Sequence, residues 1–178
     1  MTTSNNRTLC NVTTVISDDE NFSFGTLTLP PSQVFAKSER SYAFVNIRPF
    51  MPGHSLVSPL RVVERYRDMT AEELADFSAL VQITSAALER KYGGTASTIV
   101  IQDGKAAGQT IHHVHAHVIP RREADLENPD SIYDELEKPS NRQWTKEEMA
   151  VAASETRPFI EKIVEERQLG CFKPETTE

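Results

Sequence analysis

Apolar residues recur along this chain in two rhythms, and the switches between them divide it into elements. Ser41-Tyr-Ala-Phe-Val-Asn-Ile47 has the aromatic and β-branched make-up of a strand. Pro49 and Met51-Pro-Gly53 then mark a turn, and His54-Ser-Leu-Val-Ser-Pro59 reads as the returning strand of a hairpin. The rhythm changes after Thr70-Ala-Glu-Glu73, a capping box in which the first and last residues satisfy free amides at a helix start. Leu74, Phe77, Leu80, Val81 and Leu88 follow on one helical face as core packing, and Gly93-Gly94 ends the helix. Ser97-Thr-Ile-Val-Ile-Gln102 is a β-branched strand, Asp103 to Gln109 a loop with two glycines, and Thr110 to Pro120 the last clear strand. Glu123 to Pro139 is acidic and reads as a loop. Thr145-Lys-Glu-Glu148 is a second capping box opening a C-terminal helix, which Pro158 should kink or restart. Strands that cluster as hairpins, without regular alternation with helices, favour an α+β fold with an antiparallel sheet.

Residues 1–20 are rich in Ser, Thr, Asn and Asp and read as a flexible N-terminal extension. The expected division is therefore 1–20 as extension, 21–165 as the single domain and 166–178 as a C-terminal tail. The 178 residues carry a net charge of −7, which argues against a broad nucleic-acid-binding surface. A locally positive pocket for a small anion is still compatible with that charge. Lys105, Arg121 and Arg122 lie close in sequence to the histidine cluster described next. No run approaches the roughly 20 apolar residues that span a bilayer, and Met1 to Asn6 lacks a secretory apolar stretch. Cys10 and Cys171 fit neither a metal pattern nor a disulfide framework. The expected location is the reducing cytoplasm, with the nucleus as a second compartment. In that setting the sequons Asn11-Val12-Thr13 and Asn21-Phe22-Ser23 are chance matches.

The chemistry concentrates in His112-His-Val-His-Ala-His117, which holds four of the five histidines; the fifth is His54. Strand alternation puts His113, His115 and His117 on one face, with Cα atoms about 6.5–7 Å apart. Val114, Ala116 and Val118 face the other way, toward the core. Buried imidazoles need polar partners, so such a row is a poor choice for stability alone. It can bind a metal, run along the surface by accident, or do nucleophilic and acid–base work on phosphorus. Gly104 and Gly108-Gln-Thr110 precede it and offer amides and side-chain donors for phosphate oxygens. Asp103 is the one carboxylate close by, whereas a metal site usually recruits more.

Gln102-Asp-Gly104, Ala107-Gly-Gln-Thr110 and His113-Val-His-Ala-His-Val-Ile-Pro-Arg121 together resemble the signature of the histidine triad family. Ala43-Phe-Val-Asn46, Pro52-Gly-His-Ser-Leu-Val57, Pro59-Leu-Arg61 and Asp130-Ser-Ile-Tyr-Asp-Glu-Leu136 resemble its fragile histidine triad branch, and the likeness runs from about Phe24 to Leu136. The resemblance implies a five-stranded antiparallel sheet with two helices, the sheet extended across a homodimer. It implies a dinucleoside polyphosphate hydrolase that cleaves diadenosine triphosphate to AMP and ADP through a nucleotidyl-histidine. His115 would be the nucleophile, with one ring nitrogen held by a backbone carbonyl. His117 would help protonate the leaving nucleotide, and His113 and His54 would pair as a buried support. Gln102, Gln109 and Thr110, with Gly108 and Ile111 in the same stretch, would bind the substrate's phosphates. Asn46 would bind the ribose, and Phe24, Leu29, Phe44 and Leu56 would wall the purine. No tightly bound cofactor or metal is implied, though Mg²⁺ or Mn²⁺ would accompany the polyphosphate. Leu27 departs from the pattern, standing where the branch has a histidine that touches nucleotide. Ile119-Pro-Arg-Arg122 also differs from the tail of the phosphoramidase branch. A nucleoside phosphoramidase, and a signalling module acting through its nucleotide-bound form and Tyr133, are the alternatives.

Overall fold

A computed structural model describes residues 11–138 and 142–169. Cys10, Cys171, Pro139 and the outer parts of both expected extensions lie outside them. Strands β1 (Phe22–Phe24) and β2 (Leu27–Leu29) form a small hairpin. Strands β3 (Val34–Lys37), β4 (Ser41–Val45), β5 (Ser55–Pro59), β6 (Ala96–Ile101) and β7 (Ala116–Arg121) form one antiparallel sheet in the order β3-β4-β5-β7-β6. Helix α1 (Ala71–Tyr92) separates β5 from β6, a short helix α2 (Ile132–Glu137) follows β7, and α3 (Lys146–Gln168) closes the described chain. No helix among these residues is long and apolar enough to cross a membrane.

Period-two alternation gives the sheet two different faces. Ala43, Val45, Val57, Ala116 and Val118 point to α1 and α3 and build the main core with Phe77, Leu80, Leu88, Ile160 and Ile163. Tyr42, Phe44 and Leu56 point the other way and pack with Phe22 and Phe24 of the β1–β2 hairpin. Register carries this second face across the sheet, because Phe44 pairs with Leu56 and Leu56 with His117. The helices thus support one face, while the hairpin covers part of the other and leaves the rest of it for a site.

Both capping boxes form: Thr70 and Thr145 each accept from the backbone N–H three residues on, and Glu73 and Glu148 reach back. Gly93 ends α1 in the left-handed region at φ 65°. Glu73 is buried and also takes two charge-assisted hydrogen bonds from Arg61, from Nε and Nη2 at 2.7 Å each. Those bonds hold its carboxyl down to about 2.

Four expectations need correction. The strand expected from Thr110 onward is shorter, since β7 starts only at Ala116, after His115. Before that point the chain runs beside residues 61–63, and the Val114 N–H donates to the Val63 carbonyl. Residues 11–20 are attached rather than loose: Thr13 bridges Lys37 through two backbone bonds, Thr14 is buried against Glu161, and Lys37 pairs with Glu20. The acidic stretch after Glu123 contains α2, because Asn128 accepts from the Asp130 N–H and Ile132 is buried. Helix α3 runs unbroken through Pro158 to Gln168, so the boundary expected at 166 falls inside it. Pro158 and Ser154 are both exposed, which leaves the Ser154 carbonyl, whose donor proline removes, facing water.

Candidate active site

The turn between β4 and β5 sets the first histidine. Gly53 has φ 85°, and a Cβ there would lie 2.6 Å from the Tyr92 ring and 2.7 Å from Pro120. Only glycine lets the chain pass so close and deliver His54 to the start of β5. His54 Nε2 lies 2.8 Å from His117 Nδ1 in a shared hydrogen bond. Asn46 Nδ2 stands 3.0 Å from His54 Nε2 and 3.4 Å from its Nδ1. This corrects the expected support pair, because His54 joins His117 and not His113. The register explains the difference, since His117 lies opposite Leu56, two residues from His54.

His113 is fully buried, its Nδ1 accepting from the Gly25 N–H at 3.1 Å and its Nε2–H donating to the Arg61 carbonyl at 3.1 Å. Both ring nitrogens are spent on backbone, so His113 ties the β1–β2 hairpin to the segment after β5. His115 differs in one decisive respect. Its Nδ1 lies 2.8 Å from the His113 carbonyl, which can only accept, so the proton sits on Nδ1. The lone pair is left on Nε2. The His117 Nε2 atom is buried without a partner among the described residues.

His115 and His117 line a cavity of about 700 Å³ together with His54. Rings follow one another along it: Phe44 to Phe24 at 5.0 Å, Phe24 to His115 at 5.1 Å, His115 to His117 at 5.2 Å, His117 to His54 at 5.1 Å and His54 to Phe50 at 5.0 Å. Phe24, Leu29, Phe44, Leu56, Asn46, Gln102, Gly108, Thr110 and Ile111 all line it, as does Leu27. Its size suits a nucleotide. Among the described residues Arg48 and Lys138 are the charged ones that line it and no carboxylate does, although Lys138 pairs with Glu135 outside the lining and the chain as a whole is at −7. A second concavity, about 500 Å³ and lined by Tyr92, Trp144 and Val151 among others, contains no histidine or cysteine. Among the described residues no group of three or more His, Cys, Asp or Glu is arranged to hold a metal ion.

Gln109 requires a correction. It is buried, and both ends of its amide serve the loop: Oε1 accepts from the Gly104 N–H at 2.7 Å and Nε2 donates to the Glu64 carbonyl at 2.9 Å. It shapes the loop and leaves Gln102, Gly108 and Thr110 on the cavity wall. Phe50, Arg48, Leu136, Lys138, Gln143 and Met149 also line the cavity, and sequence reasoning does not single them out. Turn and acidic-loop composition disguises Phe50, Arg48, Leu136 and Lys138, Gln143 sits in the short polar run before α3, and Met149 lies on a helix whose apolar stripe reads as core. His112 is exposed and pairs with Glu64, away from the cavity.

Burial lowers the proton affinity of His54, His113, His115 and His117. His54 falls to about 3 through burial and then the nearby His115; His117 falls well below 6.5 through burial, His54 and His115. His115 and His113 are lowered by burial and partly restored by their carbonyl partners. The nucleophile candidate is thus uncharged in neutral solution. The unfolded chain takes up these protons near 6.5 and the folded chain does not, so below that point the unfolded state binds more protons. Stability present above about pH 6.5 should therefore decline as pH falls toward the lowered folded values. Thermal melts between about pH 7 and about pH 5 should show a falling melting temperature, whereas a flat profile would contradict the buried neutral cluster.

Comparison with known proteins agrees with this geometry. Residues 29–124 match the HIT domain family. A bis(5'-adenosyl)-triphosphatase from Dictyostelium discoideum is 45% identical over 138 residues, covering 78% of this chain and 92% of that protein. An asymmetrical bis(5'-nucleosyl)-tetraphosphatase from Schizosaccharomyces pombe is 49% identical over 107 residues, covering 60% of this chain and 59% of its own length. A crystal structure of Plasmodium falciparum diadenosine triphosphate hydrolase in complex with Cyclomarin A superposes with TM-score 0.67 at 31% identity, covering 82% of this chain and 88% of that one. The histidine cluster on the open sheet face and these likenesses lead to one conclusion: the chain belongs to the histidine triad, or HIT domain, family.

Proposed function

We propose that this chain is a dinucleoside polyphosphate hydrolase that cleaves diadenosine triphosphate to AMP and ADP through a covalent nucleotidyl-histidine on His115. The observation that carries the reading is the Nδ1–H of His115 held by the His113 carbonyl, which supports Nε2 as the nucleophile. Nε2 attacks the α-phosphorus, the bond from that phosphorus to the bridging oxygen breaks, and ADP departs. His117, linked through Nδ1 to His54, takes up a proton at Nε2 as the anionic polyphosphate enters the cavity and passes it to the leaving oxygen, returning to its neutral form. Water then attacks the same phosphorus, the bond from phosphorus to His115 Nε2 breaks, AMP is released, and the water's proton passes to His117 Nε2. Phe24, Leu27, Leu29, Phe44 and Leu56 wall the base, Asn46 takes the ribose, and Gln102, Gly108 and Thr110 take phosphate oxygens. A divalent cation accompanies the polyphosphate rather than residing in the protein.

The named activities of the Dictyostelium and Plasmodium relatives support the triphosphate as substrate. Incubation with diadenosine triphosphate should release AMP and ADP in equal amounts, with an acid-labile adenylyl adduct on His115 by mass spectrometry. Faster release from adenosine phosphoramidate, or no nucleotide product, would overturn the reading. The chain should also act as a homodimer. Strand β6 supports this: it is an edge of the sheet, bonded on one side to β7, and exposes Ile99.

A further inference from the structure

The loop from Asp103 to Gln109 places no apolar side chain in the core, yet it must hold Gln102, Gly108 and Thr110 against the cavity. Its support comes from residues 64–66. Arg65 Nε donates to Asp103 Oδ1 at 2.9 Å, and Arg65 Nη2 donates to Asp103 Oδ2 at 3.3 Å and to the Asp103 carbonyl at 3.2 Å. The Tyr66 N–H donates to Asp103 Oδ1 at 2.9 Å, and the Glu64 carbonyl accepts from Gln109. Gly104 lies between the two groups at φ 101°, where a Cβ would come 3.0 Å from the Arg65 guanidinium carbon. The guanidinium therefore lies close against the glycine backbone, two residues from Gln102.

A stability role explains this poorly. Both side chains are about one-third exposed, at 32% and 33%, and ion pairs at that exposure contribute little. A bidentate fork is instead a geometric device, fixing the direction as well as the distance of the group it grips. We propose that Arg65 is a positioning residue for the hydrolysis, acting through Asp103 to hold the Gln102–Thr110 loop where its donors meet the polyphosphate. This rests on the proposed function of the cavity. Neither Arg65 nor Asp103 lines the cavity, so both act through the loop.

The test is a double-mutant comparison of Arg65→Ala, Asp103→Asn and the two combined, with Arg65→Lys as the conservative variant. Each single change should lower kcat for diadenosine triphosphate about 10- to 100-fold while KM moves far less, since loop donors matter most where charge develops. The double variant should be no slower than the slower single one, because one contact is lost either way. Arg65→Lys, with one contact in place of a fork, should fall between wild type and Arg65→Ala. Single variants within about twofold of wild type, a double variant showing the product of the two losses, or losses that merely follow the melting temperature would each overturn the proposal. Hydrogen exchange at the Gly104–Thr110 amides reads the clamp without substrate. Faster exchange in Arg65→Ala supports it and unchanged exchange overturns it. Failure of the wild-type chain to cleave the triphosphate would count against the proposed function alone.

Discussion

Replacing His115 with Asn should leave a folded protein that binds diadenosine triphosphate and does not turn it over. The loss should be at least on the order of 10⁴-fold in kcat, because no other group can occupy the position of the attacking nitrogen. Asparagine is close to imidazole in width, and its amide N–H can still donate toward the His113 carbonyl that now accepts from His115 Nδ1 at 2.8 Å. The apolar wall around Phe24, which meets the His115 ring at 5.1 Å, would remain to hold the base. Equilibrium binding of the uncleaved substrate, measured beside single-turnover hydrolysis, separates the two effects. Equal loss of binding and turnover would remove His115 from the nucleophile's role.

The second large effect should come from the neighbouring triad member and be of a different kind. His113→Ala should cost about 3–5 kcal/mol of stability, from a cavity in packed interior and two backbone groups left without partners. The Gly25 N–H and the Arg61 carbonyl both lose their bond to the ring. Chemical denaturation should report the loss. The protein that remains folded, stabilised by saturating nucleotide, should retain hydrolysis far better than the His115 variant does. A stable but inactive His113 variant would show that this ring takes part in the reaction.

The contrast between His113 and His115 shows what the sequence makes legible. Alternation alone separates Val114, Ala116 and Val118 from the histidines, and those three residues do enter the helix-side core. Alternation cannot assign different work to two imidazoles on the same side. That difference depends on the Arg61 carbonyl and the Gly25 amide, contributed by segments 52 and 88 residues away. The work of Gln109 is hidden for the same reason, since its partner is the Glu64 carbonyl, 45 residues distant. The capping boxes, strand composition and the Gly93 stop are local signals, and the elements they mark form where expected. Composition overstates the length of β7 because it does not show where a ladder runs out of partners. Here β5 and β6 both stop pairing at Ala116.

Arg61 gives the helix cap a significance beyond its own helix. The side chain of this residue binds Glu73, which also closes the box at the start of α1, while its carbonyl receives the proton of His113. The amino end of a helix and the scaffold of the histidine cluster therefore meet in one residue. A substitution at Arg61 or Glu73 that the helix tolerates should therefore still be felt at the His113 ring, whose own carbonyl holds His115 Nδ1.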